Sequence, residues 1–223
     1  MSVLAVGSIL AASLLDWLAV AYRCQRVKYI TKPLALALLI LWVSLADGWR
    51  YPLLLFTLGA LFSLAGDICL MLPGRFFLYG LFAFLIAHFC YTAGFIHDGL
   101  PGSLLFYLLI VLTVVIAVIV TRKIRHGVNH TPGTGHLKKA VTLYSVAITV
   151  MFLSAISTVF MPAWEPQTSL LAALGGLLFY FSDSLLAYDR FVIPVKNGRL
   201  LVRISYHLGQ LFLLWGAVRH FSL

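Results

Sequence analysis

The sequence predicts an all-α integral membrane bundle of about eight transmembrane helices, with both termini on the extracytoplasmic side. Three observations lead there. Hydrophobic residues make up 62% of the chain and charged residues only 10%, with a mean hydropathy of +1.01, whereas a soluble domain carries about 25% charged residues. So much apolar surface cannot be hidden inside a water-facing shell, so lipid is the solvent for most of it. The apolar residues also fall into eight runs, each long enough, or nearly so, for the roughly 20 residues that cross a bilayer core. Finally, the basic residues gather in alternate loops.

The runs form one transmembrane domain over 1–223. Helix one, 3–22, is interrupted only by Asp16. No basic leader or cleavage site is visible, so this run is expected to be retained as a helix and not removed as a signal peptide. The basic stretch Arg23–Lys32 follows. Helix two, 33–46, is the shortest. Pro33 suits its first turn, and Lys32 can snorkel to the interface, leaving room for the helix to begin a little earlier. Helix three, 52–72, carries Asp67, and Pro73-Gly74-Arg75 turns the chain. Helix four, 76–96, has His88 at its middle. Helix five, 103–121, has no charged side chain and is expected to pack against lipid. The loop 121–139 is the longest, and its His126, His130 and His136 read as solvated, without tight metal spacing. Helix six, 140–161, closes at Pro162–Pro166. Helix seven, 167–187, holds Asp183 near its end, and a basic loop leads to helix eight, 200–221, with Arg203, Tyr206, His207 and Gln210.

Charge fixes the expected orientation. Arg23, Arg26, Lys28, Lys32, Arg75, Arg122, Lys123, Arg125, Lys138, Lys139, Arg190, Lys196 and Arg199 all lie in loops after odd-numbered helices. They are 13 of the 16 Lys and Arg residues. These loops are expected to face the cytoplasm, and the compact loops suggest a bacterial inner (plasma) membrane. The net charge of +9 then has a topological cause, so no nucleic-acid partner is expected. Cys24, Cys69 and Cys90 form no disulfide framework.

An ionisable group inside an apolar run is a functional-site hypothesis by default. Asp67 stands in Leu61–Leu72 with no other charge, and Ser63 lies four residues before it on the same helical face. Helices three and seven run in the same direction. Asp67 and Asp183 therefore lie about one to one and a half turns from the cytoplasmic end, at about 1.5 Å per residue. Asp16 has a similar depth, either as a structural hydrogen-bonding group or as a positioning one. Helix eight runs the other way and brings Tyr206, His207 and Gln210 to that layer, with Lys32 at its mouth. One polar cavity open to the cytoplasmic leaflet is the expectation. A faint repeat supports it: Gly66-Asp67 and Ser182-Asp183 each precede a helix carrying a histidine with a polar partner three residues on. Four helices per unit would put the two aspartates in equivalent places.

Two carboxylic acids near each other in a shielded site cannot both ionise cheaply, so the pair holds one acid and one base. That suits hydrolysis. A proton-coupled transporter of a small molecule or lipid is the alternative, with the aspartates as a relay. A transporter needs a polar path to both faces, and the outward halves of helices three and seven are almost bare of polar groups. His88 at mid-membrane fits a satisfied core histidine as well as a positioning group.

The pieces together resemble the YhhN-type lysoplasmalogenase family. The matching residues are Lys32-Pro33, Phe62 to Leu70 with Gly66-Asp67 at its heart, Gly80 to Phe84 with Ala87-His88 and Tyr91, then Ser182-Asp183-Ser184-Leu185, Tyr206 and Gln210. The resemblance implies hydrolysis of the vinyl-ether bond of lysoplasmalogens to a fatty aldehyde and a glycerophospho-ethanolamine or -choline. The partners it implies are a lysophospholipid substrate and membrane lipid, and it implies no cofactor and no metal. Protonation of the distal alkene carbon would give an oxocarbenium ion that water attacks, with Asp67 and Asp183 as the catalytic pair dividing the acid and base roles. Ser63, His88, Tyr206, His207 and Gln210 are expected to position water and the carboxyls, and Lys32 or Arg203 to meet the phosphate. An intramembrane aspartyl protease would require Gly-x-Gly-Asp, but residue 64 is leucine.

Overall fold

Periodic apolar sequence in a solvent that offers no hydrogen bonds leaves the backbone one economical choice, the helix. The computed structural model describes residues 3–131 and 133–222, and among them there is no strand. The α-helices are α1 (Val3–Ala21), α2 (Gln25–Leu45), α3 (Leu53–Met71), α4 (Phe77–Phe95), α5 (Leu104–His130), α6 (Lys138–Ser157), α7 (Pro166–Phe191) and α8 (Gly198–Phe221). Single 3₁₀ turns occupy Gly74–Phe76, Gly135–Leu137 and Thr158–Phe160. Of these eight helices, α1 to α7 are each long and apolar enough to cross a bilayer. α8 is 24 residues long but more polar, with Tyr206, His207 and Gln210 buried inside the bundle.

Three helix limits differ from those expected. α2 begins at Gln25, not near residue 33, because Arg23 takes a left-handed conformation (φ 57°) and reverses the chain within three residues. The basic residues that read as loop are good helix formers. Pro33 consequently lies inside α2. It has no amide to give to the carbonyl of Tyr29, a loss that membrane helices tolerate. α5 runs on to His130 and α7 to Phe191, absorbing much of the expected basic loops.

Two helix pairs form the frame, and glycines set their spacing. In α7 and α8, a β-carbon at Gly209 would stand 2.9 Å from the amide nitrogen of Phe179, and one at Gly216 2.9 Å from that of Ala172. Backbone therefore lies directly on backbone. In α3 and α4 the bare face of Gly66 receives the Phe84 ring. Between the pairs, Phe56, Tyr91, Phe95, Phe179, Leu213 and Leu214 are fully buried. The end of the bundle at the C-terminus of α8 is closed by Trp164, whose ring stacks on His220 at 3.8 Å, while both side chains bond Asp98 Oδ2 at 3.2 and 2.7 Å. α5 exposes Leu105, Leu108, Val111, Leu112, Val115 and Ile119, as a lipid-facing helix should.

Candidate functional site

α3 and α7 end on the same side of the bundle, and there the helices part around a cavity of about 310 Å³. Its polar lining includes Lys32, Asp67, Tyr144, Ser182, Asp183, Arg203 and Tyr206. Leu70, Leu81, Phe84, Ile148 and Tyr180 are among its apolar walls, and Lys28, Arg190 and Arg199 also line it. A site of this make-up, mostly apolar with a few convergent polar groups, suits a small amphiphile.

Asp67 reaches the cavity from α3 and meets Lys32 of α2, Oδ1 to Nζ 2.6 Å, with the two side chains only 2% and 8% exposed. Each charge is out of water, so each depends on the other: a buried ion lacking its partner costs several kcal/mol (about 3–5). The second oxygen, Oδ2, has no hydrogen-bond partner in the protein. The Tyr206 hydroxyl lies beside the same carboxyl, outside full hydrogen-bond geometry. A buried acceptor without a partner, on a residue that lines a cavity, is a place for a water or a substrate atom.

Asp183 has a different environment. Tyr144 of α6 donates its hydroxyl to Oδ2 in a short hydrogen bond. His88 Nε2, from α4, lies 3.0 Å from the Tyr144 oxygen and 3.5 Å from Asp183 Oδ2. The Ser182 hydroxyl is 3.4 Å from Oδ1. His88 is fully buried and its Nδ1 has no partner. No hydrogen bond joins the two carboxyls. The expected carboxyl-on-carboxyl pair takes the form of two separate groups facing one cavity, with the Tyr144 hydroxyl within electrostatic range of both.

The two groups are built alike. Each aspartate is met by the helix before it, Lys32 of α2 or Tyr144 of α6. Each is also approached from the last helix of the other half, Tyr206 of α8 or His88 of α4. The repeat read in the sequence pairs His88 with His207, whereas the residue of α8 beside Asp67 is Tyr206, and His207 turns to Trp17. Chemically the halves differ: one holds a fixed cation, the other a tyrosine and a histidine.

The remaining expected residues stand behind the cavity. Asp16 is fully buried, paired with Arg203 at 3.2 Å and accepting the Thr31 hydroxyl at 3.0 Å. His207 faces α1, where Trp17 Nε1 donates to its Nδ1 at 3.1 Å. Gln210 accepts the Tyr91 hydroxyl at 2.8 Å and holds its amide 3.4 Å from the Tyr206 oxygen. Ser63 is buried beside Tyr91. Lys32 and Arg203, expected at a phosphate, are each engaged by a carboxylate. Tyr144 is the residue the sequence reading missed. It lies six residues beyond Lys138, at the depth of the aspartates, and the depth rule applied to tyrosines would have found it. Among the described residues no three of His, Cys, Asp and Glu come together as metal ligands.

Comparison with known proteins gives the family. The chain matches the YhhN family over residues 27–217. It is 31% identical to lysoplasmalogenase TMEM86B of Mus musculus over 207 residues, covering 92% of this chain and 77% of the mouse protein. The Rattus norvegicus protein of the same name is 30% identical, over 92% and 75% of the two chains, and that of Homo sapiens 26%, over 92% and 77%. No solved structure matches the chain. With the family match running across α2 to α8 and including every residue of both aspartate groups, the chain belongs to the YhhN family.

Proposed function

We propose that the chain is a lysoplasmalogenase. It hydrolyses the vinyl-ether bond of an alkenyl-glycerophosphoethanolamine or -choline to a fatty aldehyde and the glycerophospho-alcohol. The observation that carries this reading is the pair of unlike aspartate groups on one amphiphile-sized cavity, in a chain similar to proteins of that name. Lys32 sets an ammonium 2.6 Å from the Asp67 carboxylate. Asp183 has no Lys or Arg within ion-pair distance among the described residues and accepts the Tyr144 hydroxyl instead. In this reading Asp183, with Tyr144 against it, delivers a proton to the alkene carbon distal to the ether oxygen. The resulting oxocarbenium ion faces the Asp67 carboxylate, which stabilises it and orients the attacking water through its free Oδ2. The hemiacetal then collapses to aldehyde and alcohol. In balance, one water is consumed: its two protons end on the aldehyde α-carbon and the released alcohol, and its oxygen in the aldehyde. His88 holds Tyr144 and Asp183 in register, and Gln210 does the same for Tyr206.

In this reading both termini lie outside the cytoplasm, and the basic ends of the helices and the cavity mouth face the cytoplasmic leaflet of an inner (plasma) membrane. Purified protein given lysoplasmalogen should release aldehyde. Asp67→Asn and Asp183→Asn should each lower the rate by about 100-fold or more, as loss of a positioned acid or base does. Full activity in both variants would overturn the assignment.

A further inference from the structure

Five cations line the cavity: Lys28 and Lys32 on α2, Arg190 on α7 with its guanidinium over the Phe77 ring, and Arg199 and Arg203 on α8. Two carboxylates answer them. Asp67 holds Lys32 at 2.6 Å and Asp16 holds Arg203 at 3.2 Å. Lys28 and Arg199 have no ion pair among the described residues. Lys28 is half-buried, yet it lies within electrostatic range of Arg199 and Arg203. Like charges gathered at the edge of a low-dielectric cavity repel one another unless an anion joins them. The turn before Arg199 is fastened: Asp189 Oδ1 accepts the Val195 amide at 2.7 Å and lies against Gly198.

We infer that Lys28 and Arg199, backed by Arg203, form a phosphate site at the cavity mouth for the headgroup of a single-chain lipid. The identity of that lipid rests on the proposed hydrolysis; the phosphate chemistry does not. The level of the site fits. Lys28 precedes Lys32, and Arg199 precedes Arg203, by one helical turn, about 6 Å at 1.5 Å per residue. The phosphate site therefore lies one turn outside the carboxyl layer. In a lysoplasmalogen the phosphorus is five bonds from the vinyl-ether oxygen, a reach that joins the two levels. Guanidinium and ammonium donors are the standard partners of phosphate oxygens. The roles of the basic residues divide accordingly: the inner pair, Lys32 and Arg203, balances buried carboxylates, and the outer pair takes the ligand.

The test uses a saturated 1-alkyl lysophosphoethanolamine, which cannot be cleaved, bound to the purified full-length protein in detergent. Lys28→Gln and Arg199→Gln should each weaken binding about tenfold, and the double variant by about 100-fold. Binding of 1-alkylglycerol, which lacks the phosphate, should not change, and unaltered thermal unfolding would show that the variants fold. Arg199→Lys and Lys28→Arg should recover part of the affinity. Inorganic phosphate should displace the lipid only at far higher concentration. Equal affinity for phosphate and lipid would overturn the headgroup assignment in favour of a free-anion site. Unchanged lipid affinity in the double variant would overturn the site altogether. In turnover, the double variant should raise KM for lysoplasmalogen far more than KM for 1-alkenylglycerol. If the parent protein cleaves neither, the hydrolysis reading fails while the binding measurements still decide the phosphate site.

Discussion

Replacing Lys32 by methionine removes the counter-ion of Asp67 while keeping most of the side-chain volume. The pair is 2.6 Å apart and its side chains are 8% and 2% exposed, so water cannot take over the role of the lost ammonium. Removing one member of such a pair costs about 3–5 kcal/mol, because the survivor is left as an isolated buried charge. Asp67→Asn should cost a similar amount for the mirror reason. Replacing both leaves no charge to strand, and the double variant should recover most of the loss. The measurement is reversible unfolding of the parent, both single variants and the double in one detergent, read as a double-mutant cycle. The expected coupling is about 3 kcal/mol or more. Aldehyde release should be lost in all three variants, so the double variant should be stable yet inactive. A cost below about 1 kcal/mol for Lys32→Met would mean that the pair behaves as an exposed one. A double variant as unstable as the sum of the singles would equally refute the reasoning.

Tyr144→Phe keeps the ring but removes the hydroxyl that Asp183 accepts; it should leave folding intact and slow aldehyde release by about 10²-fold or more. A rate within twofold of the parent would remove Tyr144 from the site. Gly209→Val should destabilise the bundle by about 1–3 kcal/mol, since its side chain would press on the Phe179 and Gly175 backbone. Gly7→Ala, where nothing lies within 4 Å, should be neutral, and unfolding in detergent compares the two.

The helix count and the shared depth of the aspartates were legible because a bilayer imposes both: apolar runs must be helical, and a charge within one must face the interior. The helix ends were not. Gln25 to Lys32 reads as a basic loop by hydropathy, yet Arg and Lys continue a helix readily and their stems reach the interface. Partner choice was the least legible. Lys32 looked like a phosphate ligand because it is a cation at the mouth, and only the packing of α2 against α3 turns it onto Asp67. Asp183 looked like the mate of Asp67 because both share a depth. Depth leaves azimuth open, and azimuth gives Asp183 to Tyr144 and His88. Tyr144 escaped notice because a tyrosine near a basic helix start reads as an interfacial anchor.

Solvent deuterium tests the central claim most directly. If Asp183 delivers a proton to the alkene carbon before water adds, turnover of lysoplasmalogen in deuterium oxide must place one deuteron on the α-carbon of the released aldehyde. Mass spectrometry of aldehyde trapped as it forms should show a single added deuteron at that carbon, and Asp183→Asn should form almost none of this product. A deuteron spread equally over both faces of that carbon, or labelled aldehyde formed at the parent rate by the Asp183→Asn protein, would contradict the account.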